Sequence, residues 1–383
     1  MKTEQWIWEE NSQWQNLTQT QLSSADLVLF FGGRDALSES SRFEEIREKF
    51  PEAIVIGCST AGEILGEEVF DDSVVLTAID FEKTELKLAS LDMTETDIPA
   101  MQAGMRLGKE LASPDLKAVF ILSDGQMVNG SELVEGLTLA LGEKVVLTGG
   151  LAGDGGRFEK TLVSANNAPK PGQIAVIGFY GDAFKIGHGS VGGWDPFGPV
   201  RTVTKSEGNV LFQLDDHPAL ELYKQYLGED ANQLPGSALL FPLQINHSEQ
   251  SGHGTVRTVL NIDENSQSMT FAGDIPEGYQ AQLMMANFEN LIEGASQAAN
   301  HAAISDFAQS ENESFAILIS CVGRKMVLGQ RTEDEVEAVQ EVLGENTRQL
   351  GFYSYGEISP HVTLGNCQLH NQTMTITVFQ EIR

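Results

Sequence analysis

Runs of apolar residues that stop at a glycine divide this chain into a repeated pattern. Residues 27–34 (LVLFFGGR), 118–125 (AVFILSDG) and 315–324 (FAILISCVGR) each read as a strand ending in a polar Gly turn. A helical segment follows each. A second apolar run then ends in a corner of small residues, at 54–64 (IVIGCSTAGEI), 145–155 (VVLTGGLAGDG) and 350–358 (LGFYSYGEI). From turn glycine to corner glycine the separations are 29 residues (Gly33 to Gly62), 28 (Gly125 to Gly153) and 33 (Gly323 to Gly356). A further strand follows each corner, at 73–80, 174–181 and 374–379. The unit is strand, helix, strand, Gly-acid turn, strand. It predicts an α/β protein of two domains built on mixed sheets flanked by helices.

The pattern between the units predicts more elements. Residues 73–81 and 85–91 alternate and read as a hairpin, and 158–164, 173–180 and 184–191 read as an antiparallel meander. Helices are expected near 43–50, stopped by Pro51, and at 97–112, 131–141, 218–227, 288–308 and 333–343. Short strands are expected at 201–203, 209–213, 238–243, 255–261, 269–271 and 370–379. Pro and Gly cluster at 194–199 (WDPFGP) and set the boundary between an N-terminal domain, 1–195, and a C-terminal domain, 196–383.

A chain of 383 residues is too long for one compact core, which agrees with that division. The formal charge of −31 repels phosphate backbones and anionic lipid, so nucleic acid and membranes are excluded as partners. No run of 18 apolar residues occurs, and the opening MKTEQWIWEENSQWQ lacks the apolar core of a signal peptide. Cys58, Cys321 and Cys367 are few and far apart, as reduced thiols are. These features together imply a cytoplasmic protein.

Each corner glycine suits a turn of positive φ or a close backbone approach to a ligand. Ligands of open α/β sheets bind beyond the carboxyl ends of strands, where these corners lie. The three corners are therefore expected to share one pocket rim. Glu63, Asp154 and Glu357 would then anchor loops, accept hydrogen bonds from an amine-bearing ligand, or hold Mg²⁺ or Ca²⁺.

Several stretches carry a family resemblance: GCSTAGEI (57–64), GGLAGDG (149–155), GGWDPFGP (192–199), PALELYKQYLG (218–228), SCVGRK (320–325), GFYSYGEISP (351–360) and HNQT (370–373). As a set they resemble the FIST sensory proteins of bacterial signal transduction, with an N-terminal and a C-terminal FIST domain. The resemblance implies a small-ligand sensor that acts through a separate signalling protein, such as a histidine kinase. The residues expected at the ligand are Cys58, Ser59, Thr60, Gly62, Glu63, Gly153, Asp154, Trp194, Arg324, Tyr353, Tyr355, Gly356 and Glu357. Some stand-alone members are similar to haem-dependent nitric oxide sensors, which makes haem the candidate cofactor.

Haem needs an axial ligand and an apolar slot. Among His188, His217, His247, His253, His301, His361 and His370, the one between glycines in GHGSVGG, His188, is the first candidate ligand, and His301 on the Ala-rich helix is the second. The histidines show no zinc spacing. A hydrolase reading would use Ser59 or Cys58 on a nucleophile elbow, but GEILG after them is a poor helix start. The chain is therefore expected not to be an enzyme.

Overall fold

The computed structural model describes residues 1–18, 20–234, 236–247, 254–303, 313–360 and 367–382. Three units of one topology follow one another. The first holds β1 (Lys2–Glu9), β2 (Gln13–Asn16), β3 (Leu27–Gly33), α1 (Arg34–Ser38), α2 (Ser40–Lys49), β4 (Ile54–Thr60), β5 (Glu63–Leu65), β6 (Glu68–Phe70) and β7 (Val74–Asp80). The second holds β8 (Glu85–Asp92), α3 (Ala100–Leu111), β9 (Leu116–Ser123), α4 (Gly130–Leu141), β10 (Val146–Leu151), β11 (Val163–Ala165) and β12 (Gln173–Tyr180). The third begins with β13 (Phe184–Val191) and resumes at α6 (Phe288–Ala302). It then runs through β22 (Ser314–Cys321), α7 (Val322–Leu328), α8 (Thr332–Leu343), β23 (Thr347–Ser354), β24 (Gly356–Pro360), β25 (Cys367–His370) and β26 (Met374–Glu381).

Between β13 and α6 lies an inserted antiparallel sheet. It comprises β14 (Asp195–Glu207), β15 (Val210–Leu214), β16 (His217–Pro218), α5 (Ala219–Leu227), β17 (Leu243–Asn246), β18 (Thr255–Arg257), β19 (Val259–Asp263), β20 (Ser268–Phe271) and β21 (Gln280–Met285). It has its own core around Leu211, Tyr223 and Phe271. Residues beyond 196 thus supply both the insertion and most of the third unit.

Within each unit the first strand pairs in parallel with the second and antiparallel with the last, as β3 does with β4 and β7, β9 with β10 and β12, and β22 with β23 and β26. The three sheets also exchange strands in a cycle. Just past its corner, β5 joins β23 of the third unit, β24 joins β10 of the second, and β11 joins β4 of the first. A mixed sheet covered on both faces needs continuously apolar strands, and β3, β9 and β22 are buried along nearly their whole length. Their shared core includes Phe31, Phe120, Phe179, Phe315, Phe352 and Phe379. Each ring contributes about 1.5–3 kcal/mol through burial.

The exchange overturns two local expectations. β7 and β8 form no hairpin, since β7 pairs with β3 and β1 while β8 pairs with β12. Nor are β11, β12 and β13 a meander, because they belong to three different sheets. Residues 238–243 are mostly a 3-10 turn (Gly236–Leu240) rather than a strand, and the expected strand at 370–379 is split at Asn371–Thr373, where Gln372 has φ +62°. The expected extension of α6 to 308 falls partly outside the described residues.

Candidate functional site

The three corners meet in a closed ring of backbone hydrogen bonds. Gly153 N donates to Ser59 O (2.9 Å) and Gly155 N to Thr60 O (3.1 Å), which ties the second corner to the first. Tyr355 N donates to Leu151 O (3.2 Å), tying the third to the second. Ala61 N donates to Tyr353 O and Tyr353 N to Gly62 O, both at 2.8 Å, which closes the cycle. Gly62 has φ +139°, a conformation that side chains resist, and a Cβ on Gly153 would lie 3.0 Å from Ala61 N. Glycine thus spares the ring strain at Gly62 and crowding of the Ala61 backbone at Gly153.

The corner acids turn inward. Glu63 accepts from Thr60 Oγ1 and from Ser73 N (3.1 Å) and Oγ (2.7 Å). Glu357 repeats this arrangement, accepting from Ser354 Oγ (2.6 Å) and from Thr373 N (3.3 Å) and Oγ1 (3.0 Å). Ser73 and Thr373 each stand just before the last strand of their unit, so both acids pin that strand to the corner. Burial pushes Glu63 up to about 7 and Glu357 up to about 8. Asp154 accepts from Phe158 N, Glu159 N and Lys160 N and from Arg34 Nη1 (2.9 Å), and Tyr355 donates its hydroxyl to the same carboxylate. No group of three His, Cys, Asp or Glu among the described residues could hold a metal ion, so the Mg²⁺ or Ca²⁺ reading of the three acids is corrected.

The space around the ring is unequal. A cavity of about 500 Å³ lies at the third corner. One wall consists of the 125–130 turn of the second unit together with Leu151, Phe158, Cys321, Val322, Tyr355 and Leu369. The other wall is the inserted sheet, through Asn209, Leu239, Thr258, Leu260 and residues 271–274. Asp124 holds the turn by accepting from Gln126 N (2.7 Å), Met127 N (2.8 Å) and Gly172 N (2.8 Å). Asn129 caps α4 by accepting from Glu132 N. Phe158 stacks on Tyr355 with ring centroids 4.5 Å apart. A smaller hollow of about 290 Å³ lies at the first corner, lined by Ala61, Asp71, Gly155, Lys325 and Met326, and the two hollows share Val322.

Among the residues expected at a ligand, Tyr355 lines the larger cavity. Ser59 is a staple between corners, its hydroxyl donating to Gly153 O (2.7 Å) and accepting from Leu162 N (2.8 Å). Cys58 lies in the aromatic core, and burial raises its thiol well above the usual range. Thr60, Glu63, Asp154 and Glu357 hold the corners as described, and Gly356 packs on Leu369 and Leu151. Arg324 is fully buried, paired with Glu335 (2.7 Å) and donating to Leu291 O (2.8 Å). Tyr353 donates to the same Glu335 (2.9 Å), and Trp194 donates to Gln372 O (2.7 Å). The second-unit turn and the insertion wall were not among the expected residues. The run SDGQMVNG (123–130), with two glycines around an apolar pair, was the available signal for the turn.

His188 lies mid-strand in β13 opposite Thr377, half-buried, its Nδ1 without a partner; burial lowers its pKa. It lines neither cavity, and no histidine among the described residues lines either one. A haem requires its axial ligand to face an apolar slot, so the residues at His188 do not fit that group. His301 is exposed on α6, while His253 and His361 lie outside the described residues.

Comparison with known proteins decides the family. The FIST N domain matches residues 26–217 and the FIST C domain residues 219–360. The chain belongs to the FIST family. FIST domains are sensory domains of signal transduction. An uncharacterized protein of Methanocaldococcus jannaschii is 24% identical to this FIST protein over 381 residues, covering 90% of this chain and 68% of its own. A cyanuric acid hydrolase from A. caulinodans is similar in structure at a TM-score of 0.31 and 10% identity, covering 94% of this chain and 90% of that one. With a hydrolase among the similar solved structures, the expectation that the chain is not an enzyme is withdrawn. A likeness this slight transfers no activity. No helix among the described residues is long and apolar enough to cross a membrane.

Proposed function

We propose that this FIST protein binds a small molecule in the cavity at the third corner, and that occupancy sets the position of the inserted sheet, which a separate signalling protein reads. One observation carries the reading: one wall of the cavity belongs to the ring of corners and the other to the insertion. A ligand shifts a conformational equilibrium only by binding one state more tightly than another. A molecule that touches both walls can do so. The Gly-acid corners then act as a rigid frame that aims Tyr355 and the second-unit turn, with the insertion as the part that moves.

The test is native mass spectrometry of protein isolated from its own cells, beside two variants that fill the cavity, Ala272→Trp and Leu260→Trp. The expected result is one extra mass per chain, lost in both variants at unchanged folding. An extra mass that persists in both, or none in the wild type, contradicts the reading. The narrower alternative, a haem-linked nitric oxide sensor that regulates a histidine kinase, draws no support from the surroundings of His188. Added haem is expected to give no Soret band that His188→Ala removes.

A further inference from the structure

The two hollows are related by the cyclic arrangement of the units. At the first corner the wall facing Ala61 is the turn of the third unit, and Lys325, two residues after Gly323, donates to Ala61 O at 3.0 Å. At the second corner the turn of the first unit supplies Arg34, which donates to Asp154 at 2.9 Å. At the third corner the turn of the second unit faces Tyr355, and the residue two after Gly125 is Met127, which is 56% exposed. A protein cation therefore reaches two corners. At the third corner no Lys, Arg or His among the described residues lines the cavity, whereas Glu132 and Asp274 do. Among the described residues neither carboxylate forms an ion pair.

A second, independent observation marks the same space as a binding site. Thr258 is 6% exposed and lines the cavity, and its Oγ1 has no hydrogen-bond partner. A buried hydroxyl left unpaired is destabilising, and a ligand group that bonds to it would relieve that cost. Apolar surface is available beside it, since Leu260 and Phe158 are 44% and 38% exposed at the cavity. Two positive influences lie nearby and are already engaged. The α4 N-terminus is capped by Asn129 and carries Glu132 in its first turn, and Arg257 donates to Leu369 O (2.9 Å) and Asp274 O (3.3 Å) behind the wall.

We infer that the ligand carries a protonated amine, occupying at the third corner the place that Lys325 holds at the first, with an apolar or aromatic remainder against Phe158, Tyr355 and Leu260. This inference rests on the cavity being the ligand site.

Isothermal titration calorimetry of the full chain with three phenyl-bearing probes tests it: 2-phenylethylamine, 2-phenylethanol and 3-phenylpropanoate. The amine is expected to bind at one site per chain, roughly tenfold or more tighter than the alcohol, with the carboxylate weakest. Glu132→Gln and Asp274→Asn should each weaken the amine several-fold and leave the alcohol unchanged. Met127→Lys, which builds the Lys325 arrangement into the third corner, should abolish amine binding without changing the melting temperature. Carboxylate or alcohol binding as tightly as the amine, with Ala272→Trp blocking it, overturns the charge inference and leaves the cavity reading standing. If none of the probes binds at millimolar concentration, the inference fails. The mass spectra of Ala272→Trp and Leu260→Trp then decide separately whether the cavity reading fails as well.

Discussion

At the first corner Lys325 crosses from the third unit to the Ala61 carbonyl and a hollow of about 290 Å³ is left, while at the third corner Met127 stands in the equivalent place and a cavity of about 500 Å³ remains. The backbone frame is the same at both: a glycine, an inward-turned acid and a hydroxyl just before the last strand. The difference shows that a pseudo-symmetric scaffold can leave unequal spaces at two corners, through the side chain that reaches across one and the inserted sheet that walls the other, with the hydrogen-bonded ring intact. It also separates residues that hold the frame from residues that face the open space.

The largest effect should come from how the two turns are held. In the third unit the fully buried Arg324–Glu335 pair also anchors Ser320 and Tyr353. Glu335→Ala strands a buried guanidinium and should cost roughly 3–5 kcal/mol in chemical denaturation. In the second unit Asp124 does this work through three backbone N–H groups. Asp124→Ala should cost less, about 2–3 kcal/mol, and should also loosen the cavity wall, read as faster hydrogen exchange at 125–130.

A smaller effect concerns pH. Burial raises both Glu63 and Glu357 above their ordinary value of 4.5, to about 7 and about 8. The folded protein thus binds more protons than the unfolded chain between those values. Stability should fall as pH rises from about 4.5 through 8, by at most about 1.4 kcal/mol per pH unit for each group, and level off above. Glu357→Gln should flatten the upper part of that slope in denaturation curves. Glu381 acts in the opposite sense, since its four hydrogen bonds and the N-terminal amine outweigh burial and hold it at about 2. Its contribution is present above 4.5 and is lost as pH falls towards 2. Smallest of all, Met127→Lys should change stability by no more than about 0.5 kcal/mol, because the side chain is exposed.

The repeated unit was legible because each of its strands is an apolar run buried on both faces, and because a glycine stands at each corner. The partners of the strands were not legible. β7 and β8 alternate and adjoin in sequence, as hairpin strands do, yet the exchange between sheets sends them to different neighbours. Of the residues selected as ligand contacts, Tyr355 lines the larger cavity, while Ser59, Arg324, Tyr353 and Glu357 bond within the protein; polar residues at strand ends look alike in sequence whether they staple the backbone or face a cavity. The cavity is built from residues 125–130, 258–274 and 355, which only the folded arrangement brings together. Nothing local to Met127 shows that a lysine fills its counterpart.

Hydrogen exchange on protein with and without its bound small molecule tests the contrast between the corners most directly. Occupancy should slow exchange at 125–130 and at 257–274, where turn and insertion meet, and leave 61–63 and 324–326 unchanged. Equal slowing at both corners, or slowing confined to the first, would contradict the assignment of the third corner as the open site.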